Sequence, residues 1–343
     1  MIVIDNTSKG NYNRYIRTGI SYHNMAQHFL LSTQARTLSL MKVMRMTDAE
    51  AFETFKAIRW ASTAGAPVCP RCGCMTVYTY QARRIFKCKG CEAQFSVTTD
   101  TIFASRKMPL RDILAAIAIF VNGAKGHSAL QLSRDLDCQY KTAFVLAHKL
   151  REALSGSSKE EQLTGEIEVD GMFCGGYVKP ANYRENRRDR RLKHNQSGKR
   201  EVVVAMRQRG GKTLTHVFKT EDASVSMLHT RIAAGSIVYA DEASHWDALH
   251  ARFLTKRINH SQAYSDNGAC TNQVESFFSR LRRAEHGTHH SIAGKYLSAY
   301  AAEMAWRENH RRVSNGEQYL MMTNAALQAP VSRQWKGYWQ KAS

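Results

Sequence analysis

Four cysteines constrain this chain more than any other feature of its sequence. Cys69, Cys72, Cys88 and Cys91 have the spacing C-x2-C-x15-C-x2-C, in which two tight turns present four thiolates to one tetrahedral zinc ion. A closed four-cysteine site is structural, so the pattern predicts a small zinc ribbon rather than a catalytic metal. Cys74 competes with Cys72, although choosing it would lengthen the first pair to C-x4-C. The alternative to a zinc site is four reduced, buried thiols.

The net charge indicates the class of partner. The 343 residues include 49 Lys and Arg against 29 Asp and Glu, a formal charge of +20 that predicts binding to nucleic acid or to an anionic membrane. The longest apolar run, 113–121, is far shorter than the roughly 20 residues that span a bilayer. The first residues lack the pattern of a secretory signal. We therefore expect a cytoplasmic protein without a membrane partner, in which reduced cysteines are available for metal.

Helical patterns flank the cysteine motif. Thr47 is a good N-cap for a short amphipathic helix that ends at about Arg59. A second helix is predicted from Pro109, at the first helical position, to Asn122, with Gly123 as its C-terminal cap. Its apolar side chains form one stripe, so we expect this helix to be largely buried.

A helix-turn-helix unit is predicted next. Ser128 and Gln131 have the spacing of a capping box at the start of a short helix, and a second helix is predicted over 139–154 after a turn at 137–138. Four side chains of the second helix would point outward and contact DNA: Tyr140, Lys141, His148 and Lys149. An ordinary helical hairpin in a small core is the alternative.

The character of the sequence changes after the Ser-Gly-Ser-Ser linker at 155–158. Four short β-branched runs follow, EIEVD, EVVVAMR, TLTHVFK and SIVYAD, with a helical pattern at 223–234 between the third and the fourth. Helical patterns dominate again from Thr271 onward. This order predicts an α/β domain in which helices flank a mixed sheet.

Three acidic residues lie where they could form a metal site. Asp170 ends the polar face of the strand GEIEVD, and Asp241 ends the apolar run SIVYA. Glu275 lies on a predicted helix with two distinct faces. The polar face also carries Asn272, Ser279 and Arg282. The apolar face carries Val274, Phe277, Phe278 and Leu281.

Such a set of acids has a known use in phosphodiester chemistry. Two aspartates from neighbouring strands and a glutamate from a packed helix can hold two divalent ions about 3.5–4 Å apart, the arrangement for in-line attack on a phosphodiester. Oxygen ligands favour Mg²⁺ or Mn²⁺. One ion would activate the attacking hydroxyl and the other would stabilise the leaving oxygen, while Arg282 would position phosphate. Taken singly, each carboxylate fits an ordinary surface residue or helix cap better than a metal ligand, and only the set of three indicates the site.

These features together resemble the bacterial insertion-sequence transposases of the IS1595 type, which have an ISXO2-like catalytic domain. The similarity spans roughly 37–312 and consists of motifs in one order: AIRW, CPRCG, TIFASRKMPLRDILAAIAIF, SALQLSRDLDCQYKTAFVLAHKLREAL, EVDGMFCGG, YADEASHWDAL, TNQVESFFSRLRRAEHGTHH and RENHRR. The resemblance implies a zinc ribbon followed by a ribonuclease-H-like domain with a DDE-type site that cuts and joins DNA. It also implies double-stranded DNA as the partner, bound on the bacterial nucleoid by a homo-oligomer.

The resemblance assigns roles to the acids. Asp170 is the first, Asp241 the second, and the third lies in the segment from Asn272 to Glu275. Members of the family differ over whether an Asn or a Glu is the third catalytic residue. We favour Glu275 because an amide does not supply an anionic oxygen, and Asn272 stays a candidate helper.

Two positions depart from the family pattern. Arg282 stands where the family usually has Lys, which keeps the charge and changes the geometry. Gly171 stands where relatives usually have an acidic residue after the first Asp. Neither departure removes a proposed metal ligand.

A basic segment lies between the first two strands of the α/β region. Residues 179–200 contain nine Lys or Arg against two acids, which predicts a loop that contacts DNA phosphates. Its central arginines are Arg187, Arg188, Arg190 and Arg191. A solvated run of charge is the alternative. Three histidines after the third acid, His286, His289 and His290, resemble a second metal site, but their place beside the acidic helix favours contacts with phosphate or backbone.

The sequence thus predicts five parts. They are an N-terminal extension of unknown role (1–36), a short helix with the zinc ribbon (37–105), the helix-turn-helix-like region and linker (106–158), the ribonuclease-H-like DDE domain (159–315) and a C-terminal tail (316–343). The corresponding function is Mg²⁺-dependent cleavage and strand transfer at terminal inverted repeats. A DNA-binding regulator without catalysis and a hydrolytic DNA nuclease are the alternatives.

Overall fold

The computed structural model describes residues 29–157, 161–189, 192–195, 197–258, 270–292 and 294–341. Most of the predicted N-terminal extension, 1–28, lies outside the described residues, and so do Arg190 and Arg191. The remainder of that extension forms two 3-10 turns, Phe29–Leu31 and Thr33–Ala35.

The cysteine motif lies in a small sheet that two helices precede. Helix α1 spans Leu40–Met44 and α2 spans Asp48–Arg59. The hydroxyl of Thr47 accepts the N–H of Glu50 at 3.2 Å while the Glu50 carboxylate accepts the N–H of Thr47 at 2.7 Å, which confirms the predicted N-cap. Three antiparallel strands follow in the order β1-β2-β3: Val77–Tyr80, Ile85–Cys88 and Gln94–Phe95.

Three further helices form the body of the first hydrophobic core. They are α3 (Leu110–Asn122), α4 (Ala129–Asp135) and α5 (Tyr140–Ser157). Helix α3 is buried on almost every side, because α2 and later elements pack around it. Pro109 is its N-cap rather than its first residue, since a ψ of 152° is extended and not helical. Helix α5 continues to Ser157, so the predicted linker is mostly its last turn.

The α/β region contains a five-stranded mixed sheet, as predicted. Its strands are β4 (Glu166–Cys174), β5 (Glu201–Gln208), β6 (Thr213–Phe218), β7 (Ile237–Asp241) and β8 (Leu254–Ile258). The order across the sheet is β6-β5-β4-β7-β8, and β5 runs antiparallel to the other four strands. Strand β8 was not predicted from the sequence. Its central residues TKR are polar, so it lacks the apolar run that identified the other four.

Helices cover both faces of this sheet. Helix α6 (Val225–Arg231) lies on one face, where Val202 and Val204 of β5 point. Helices α7 (Asn272–Ala284) and α8 (Gly294–Asn309) lie on the other, where Val203 and Ala205 point. This alternation explains why the central residues of β5, VVVAM at 202–206, are all apolar, since a central strand covered on both faces has no solvent side.

The last part of the chain corrects the prediction of a C-terminal tail. Residues Asn315–Gln328 form α9, whose Tyr319, Met322 and Leu327 are buried in the first core. Beyond α9, Trp335 is buried and stacks on His148 of α5. The segment after the α/β region therefore returns to complete the N-terminal core. Within the described residues, no helix combines the length and the hydropathy needed to cross a membrane.

Candidate functional site

The four cysteines of the motif converge as predicted. Their sulfur atoms all lie within 4.8 Å of one another, with 3.6 Å between Cys69 and Cys91 and 3.5 Å between Cys72 and Cys88. Cys74 is outside this group, and its thiol points to the carbonyl oxygen of Thr76 at 3.7 Å. Cys72 is therefore the partner of Cys69 in the first pair. Four sulfur atoms at this spacing fit the tetrahedral coordination of zinc.

Backbone N–H groups stabilise the thiolate form of Cys88. The N–H groups of Cys91 and Gly90 point to the Cys88 sulfur, the latter at 3.2 Å, and they lower the pKa of Cys88 to about 6. This favours the thiolate, which is the form that binds metal. The cluster is attached to the core through Cys69 and Cys88, both of which are buried.

The two predicted aspartates lie on adjacent strands of the second sheet. Asp241 ends β7 as predicted, but Asp170 does not end its strand, because β4 continues to Cys174 in its pairing with β5. Strands β4 and β7 are parallel, with Glu166 opposite Ile237 and Glu168 opposite Tyr239. Continuing this register places Asp170 opposite Asp241, at the carboxyl end of β7. The carboxylates also organise their own loops: Asp170 Oδ1 accepts the N–H of Gly171 at 2.7 Å, and Asp241 Oδ1 accepts the N–H of Ala243 at 3.2 Å.

Helix α7 carries the third predicted acid. Its apolar side chains Val274, Phe277, Phe278 and Leu281 are buried, whereas Asn272, Glu275, Ser279 and Arg282 are exposed, so the predicted division of its faces is confirmed. The hydroxyl of Thr271 donates to Glu275 Oε1 at 2.9 Å. Arg282 lies two turns beyond Glu275 on the exposed face.

A buried glutamate holds the start of α7 against the sheet. Glu168 is fully buried, and its Oε2 accepts the N–H groups of Gln273 at 2.8 Å and Val274 at 3.1 Å. These are backbone donors of the first turn of α7, where the helix dipole favours negative charge. Arg209 donates to the other oxygen of Glu168 at 3.0 Å and neutralises it. Glu168 is the second Glu of the run GEIEVD, on the polar face that Asp170 ends, and no local pattern indicated its role.

The acids act on one another electrostatically. Burial is the main cause that raises the pKa of Asp170 to about 7, and the negative charges of Asp241, Glu221 and Glu275 raise it further. The hydrogen bond from Gly171 opposes this shift. Asp170 is thus a carboxyl group in a strongly negative environment, and oxygen ligands in such an environment suit a hard divalent cation.

Glu221 is a fourth acid near this site, and the sequence pattern did not predict it. It follows β6 and precedes α6, and burial together with the charge of Asp241 raises its pKa. His245, in the turn after β7, has its Nε2 3.2 Å from Glu221 Oε2. No local pattern distinguishes Glu221 from the adjacent Asp222. Its proximity to Asp170 and Asp241 follows only from the tertiary structure.

The predicted DNA-contacting residues of α5 divide into two groups. Tyr140 and Lys141 are exposed in the first turn, and Lys141 Nζ lies 5.3 Å from the centroid of the Trp339 ring. Lys149 is half-buried. His148 is fully buried, so the prediction that it points outward was wrong. It lies in an aromatic cluster with Phe144, Tyr296 and Trp335, which the C-terminal segment completes.

Helix α5 is covered by α4, α8 and α9 along most of its length. A recognition helix needs an exposed face to enter a DNA groove. Within the described residues, only the first turn of α5 has one. This arrangement corresponds to the helical hairpin that was the alternative to a helix-turn-helix.

The basic segment extends from the carboxyl end of β4, a few residues beyond Asp170. Arg187 and Arg188 are exposed, and Arg187 donates to the carbonyl oxygens of Ala181 and Asn182, at 3.2 and 3.4 Å. Of the three histidines after α7, His289 packs on Tyr300 of α8. Among the described residues, the Cys69–Cys91 cluster is the one group of His, Cys, Asp and Glu ligand atoms close enough to hold a metal.

Comparison with known proteins agrees with this arrangement. Residues 162–309 match the model of the ISXO2-like transposase domain, and residues 46–94 match the model of the transposase zinc-ribbon domain of the same IS1595 group. The chain belongs to the IS1595-type transposases. The matched transposase domain contains the five-stranded sheet with Asp170, Asp241, Glu221 and Glu275, and the matched zinc ribbon contains Cys69, Cys72, Cys88 and Cys91.

A relative of this transposase is known from an archaeon. A Halobacterium salinarum protein, named as an uncharacterized protein in transposable element ISH50, is 24% identical over 251 residues, which cover 69% of this chain and 83% of that protein. No solved structure matches the chain.

Proposed function

We propose that this transposase cleaves DNA at the ends of its insertion sequence and joins them to new DNA, with Asp170, Asp241 and Glu275 as the ligands of two divalent metal ions. The observation that supports the proposal is the position of these acids: the register places Asp170 of β4 opposite Asp241 of β7, and the charges of Asp241 and of Glu275 on α7 raise the pKa of Asp170. We interpret the sheet order, with β5 alone antiparallel, as a ribonuclease-H-like fold.

The chain's own residues have distinct parts in this chemistry. When bound, Mg²⁺ or Mn²⁺ would activate the attacking hydroxyl and stabilise the leaving oxygen. Asp170 and Asp241 hold their carboxylates on the rigid sheet, and Glu168 fixes the first turn of α7, from which Glu275 projects. Arg282, on the same exposed face as Glu275, positions a DNA phosphate.

The basic surfaces bind the DNA. The zinc ribbon presents Arg71, Arg83, Arg84 and Lys89 to solvent, and its four cysteines hold a structural zinc ion. The segment that begins after β4 adds the exposed Arg187 and Arg188, with Arg190 and Arg191 in the same run of sequence. Together with Tyr140 and Lys141, these residues bind the terminal repeats largely through phosphates. Two ends must be held together, so the active form on DNA is a homo-oligomer.

A strand-transfer assay tests this function. Zinc-loaded protein is incubated with Mg²⁺ and a labelled fragment that carries the repeat flanking its own gene, beside Asp241→Ala and the control Glu53→Ala. Glu53 is an exposed acid on α2, so its loss changes the net charge equally without touching the site. We expect joined products from wild type and Glu53→Ala only. Cleavage without joining would favour the nuclease, and specific binding without chemistry would favour the regulator.

A further inference from the structure

Gly171 leaves a space that a side chain from another part of the fold fills. A Cβ atom built on Gly171 would overlap Glu221 Oε1 and would lie 2.7 Å from the carboxyl carbon of Glu221. Real Cβ atoms do not approach other atoms this closely, so only glycine allows the carboxylate to lie against β4 at this position. The position is the one directly after Asp170.

Glu221 is held at this point from a second side. Its Oε2 lies 3.2 Å from His245 Nε2, and its side chain is only 16% exposed. His245 belongs to the turn that follows Asp241. Glu221 therefore belongs to the loop after β6 and contacts the turn after β7. At this position its charge acts on both Asp170 and Asp241.

We propose that Glu221 is a fourth carboxylate ligand of the divalent-ion site and that Gly171 is glycine because it must admit this ligand. This inference rests on the proposed function. The negative charge of Glu221 repels those of Asp170 and Asp241, and a cation bound by these carboxylates would offset that repulsion. The extra oxygen comes from a loop about 50 residues beyond Asp170 in the sequence.

Binding of Mn²⁺ by the full-length, zinc-loaded protein without DNA tests the proposal. Free Mn²⁺ is followed by electron paramagnetic resonance during titration of wild type, Glu221→Gln, Asp241→Ala and Asp222→Asn. Asp222 is the adjacent exposed acid, so Asp222→Asn is a matched control for the loss of one charge. We expect Mn²⁺ to bind Glu221→Gln and Asp241→Ala about tenfold or more weakly than wild type, and Asp222→Asn to bind as wild type does.

Two other results would overturn the proposal in distinguishable ways. If Asp241→Ala weakens Mn²⁺ binding and Glu221→Gln does not, Glu221 is not a ligand, and the proposed function stands. If neither variant weakens binding, the metal site itself is misplaced and both proposals fail.

A double-mutant cycle tests the role of Gly171. Gly171→Ala should weaken Mn²⁺ binding as strongly as Glu221→Ala, because the new methyl group displaces the carboxylate. In the Glu221→Ala background the space is empty, so adding Gly171→Ala should change the affinity by less than about twofold. Independent, additive losses would show that the glycine does not act through Glu221. If Gly171→Ala fails to fold, the Glu221→Gln titration decides the proposal, because that substitution preserves the shape of the side chain.

Discussion

At the scale of single residues, Glu275 and Asn272 lie in the first turn of α7, and the family resemblance leaves open which is the third catalytic residue. Both are exposed, but Glu275 is charged and acts on the pKa of Asp170. An anionic oxygen binds Mg²⁺ more strongly than an amide oxygen. The effect of Glu275 on Asp170 thus adds a structural reason for the choice of Glu275, which its anionic oxygen already favoured.

We predict that Glu275→Gln lowers the rate of DNA cleavage by about a hundredfold or more, and that Asn272→Ala lowers it by less than about tenfold. Cleavage of a labelled terminal-repeat fragment under single-turnover conditions measures both rates. Ser279→Ala, on the same exposed face of α7, is the control. A larger loss in Asn272→Ala than in Glu275→Gln would assign the third role to the amide.

At the scale of secondary-structure elements, the attachment of α7 to β4 depends on Glu168. Glu168→Gln removes the charge that accepts two backbone N–H groups and leaves Arg209 less well neutralised. We expect a loss of about 1–3 kcal/mol in the free energy of unfolding, measured in urea. We also expect slower cleavage with unchanged DNA affinity, because the position of Glu275 is disturbed and the basic surfaces are not.

Glu166→Gln provides the matched control for this prediction. Glu166 lies on the same strand and pairs with the same arginine at 2.9 Å, but its side chain is 49% exposed. Exposed ion pairs contribute about 0–1 kcal/mol, so this variant should be close to wild type in both measurements. Equal effects of the two substitutions would show that the capping of α7 is unimportant.

The zinc ribbon is the second element with a specific prediction. Cys72→Ser should abolish stoichiometric zinc binding, and Cys74→Ser should retain one zinc ion per chain, because only Cys72 lies with the other three sulfur atoms. Zinc content of the purified proteins, measured by atomic absorption, distinguishes them. Removal of zinc by a chelator should unfold the β1-β2-β3 sheet, since a structural zinc site contributes folding free energy. Zinc retained by Cys72→Ser and lost by Cys74→Ser would reverse the assignment.

At the scale of the whole molecule, one buried cluster joins the N-terminal helices to the α/β region and to the C-terminal segment. Arg151 of α5 donates to Glu303 of α8 at 2.6 Å, and Arg307 donates to the other oxygen of Glu303. His148 lies beside this pair, and both of its ring nitrogens lack a hydrogen-bond partner in the described residues. Burial is the main cause that lowers the pKa of His148 to about 3. The positive charges of Arg151 and His289 lower it too, whereas the negative charge of Glu303 opposes the shift.

This cluster should make the fold sensitive to acid. Below the ordinary histidine pKa of 6.5, the unfolded chain binds a proton at His148, whereas the folded chain binds it only near pH 3. The free energy of unfolding therefore falls as the pH decreases through this window. The slope is up to about 1.4 kcal/mol per pH unit for one histidine. His148→Phe should flatten the dependence measured by urea unfolding, and the exposed His250→Ala should not. An equally steep dependence in His148→Phe would show that other groups cause it.

Much of the chemistry was readable from local sequence. The cysteine spacing, the β-branched runs that became β4 to β7, and the two faces of α7 depend on residues a few positions apart, and the geometry of turns, strands and helices converts such spacings directly into positions. Asp170 and Asp241 were identified as a pair because each comes last in a short strand pattern, GEIEVD and SIVYAD. The pairing of β4 with β7 places them opposite each other, although β4 continues beyond Asp170.

The tertiary structure decided the features that depend on contacts between distant segments. The fold brings Glu221, in the loop after β6, against Gly171 of β4. The return of the chain after α8 makes α9 a core helix and packs Trp335 on the buried His148. No periodicity within α5 could show that a segment almost 200 residues later would cover it. Local patterns determine which residues share a face, whereas burial is decided by which other elements pack on that face.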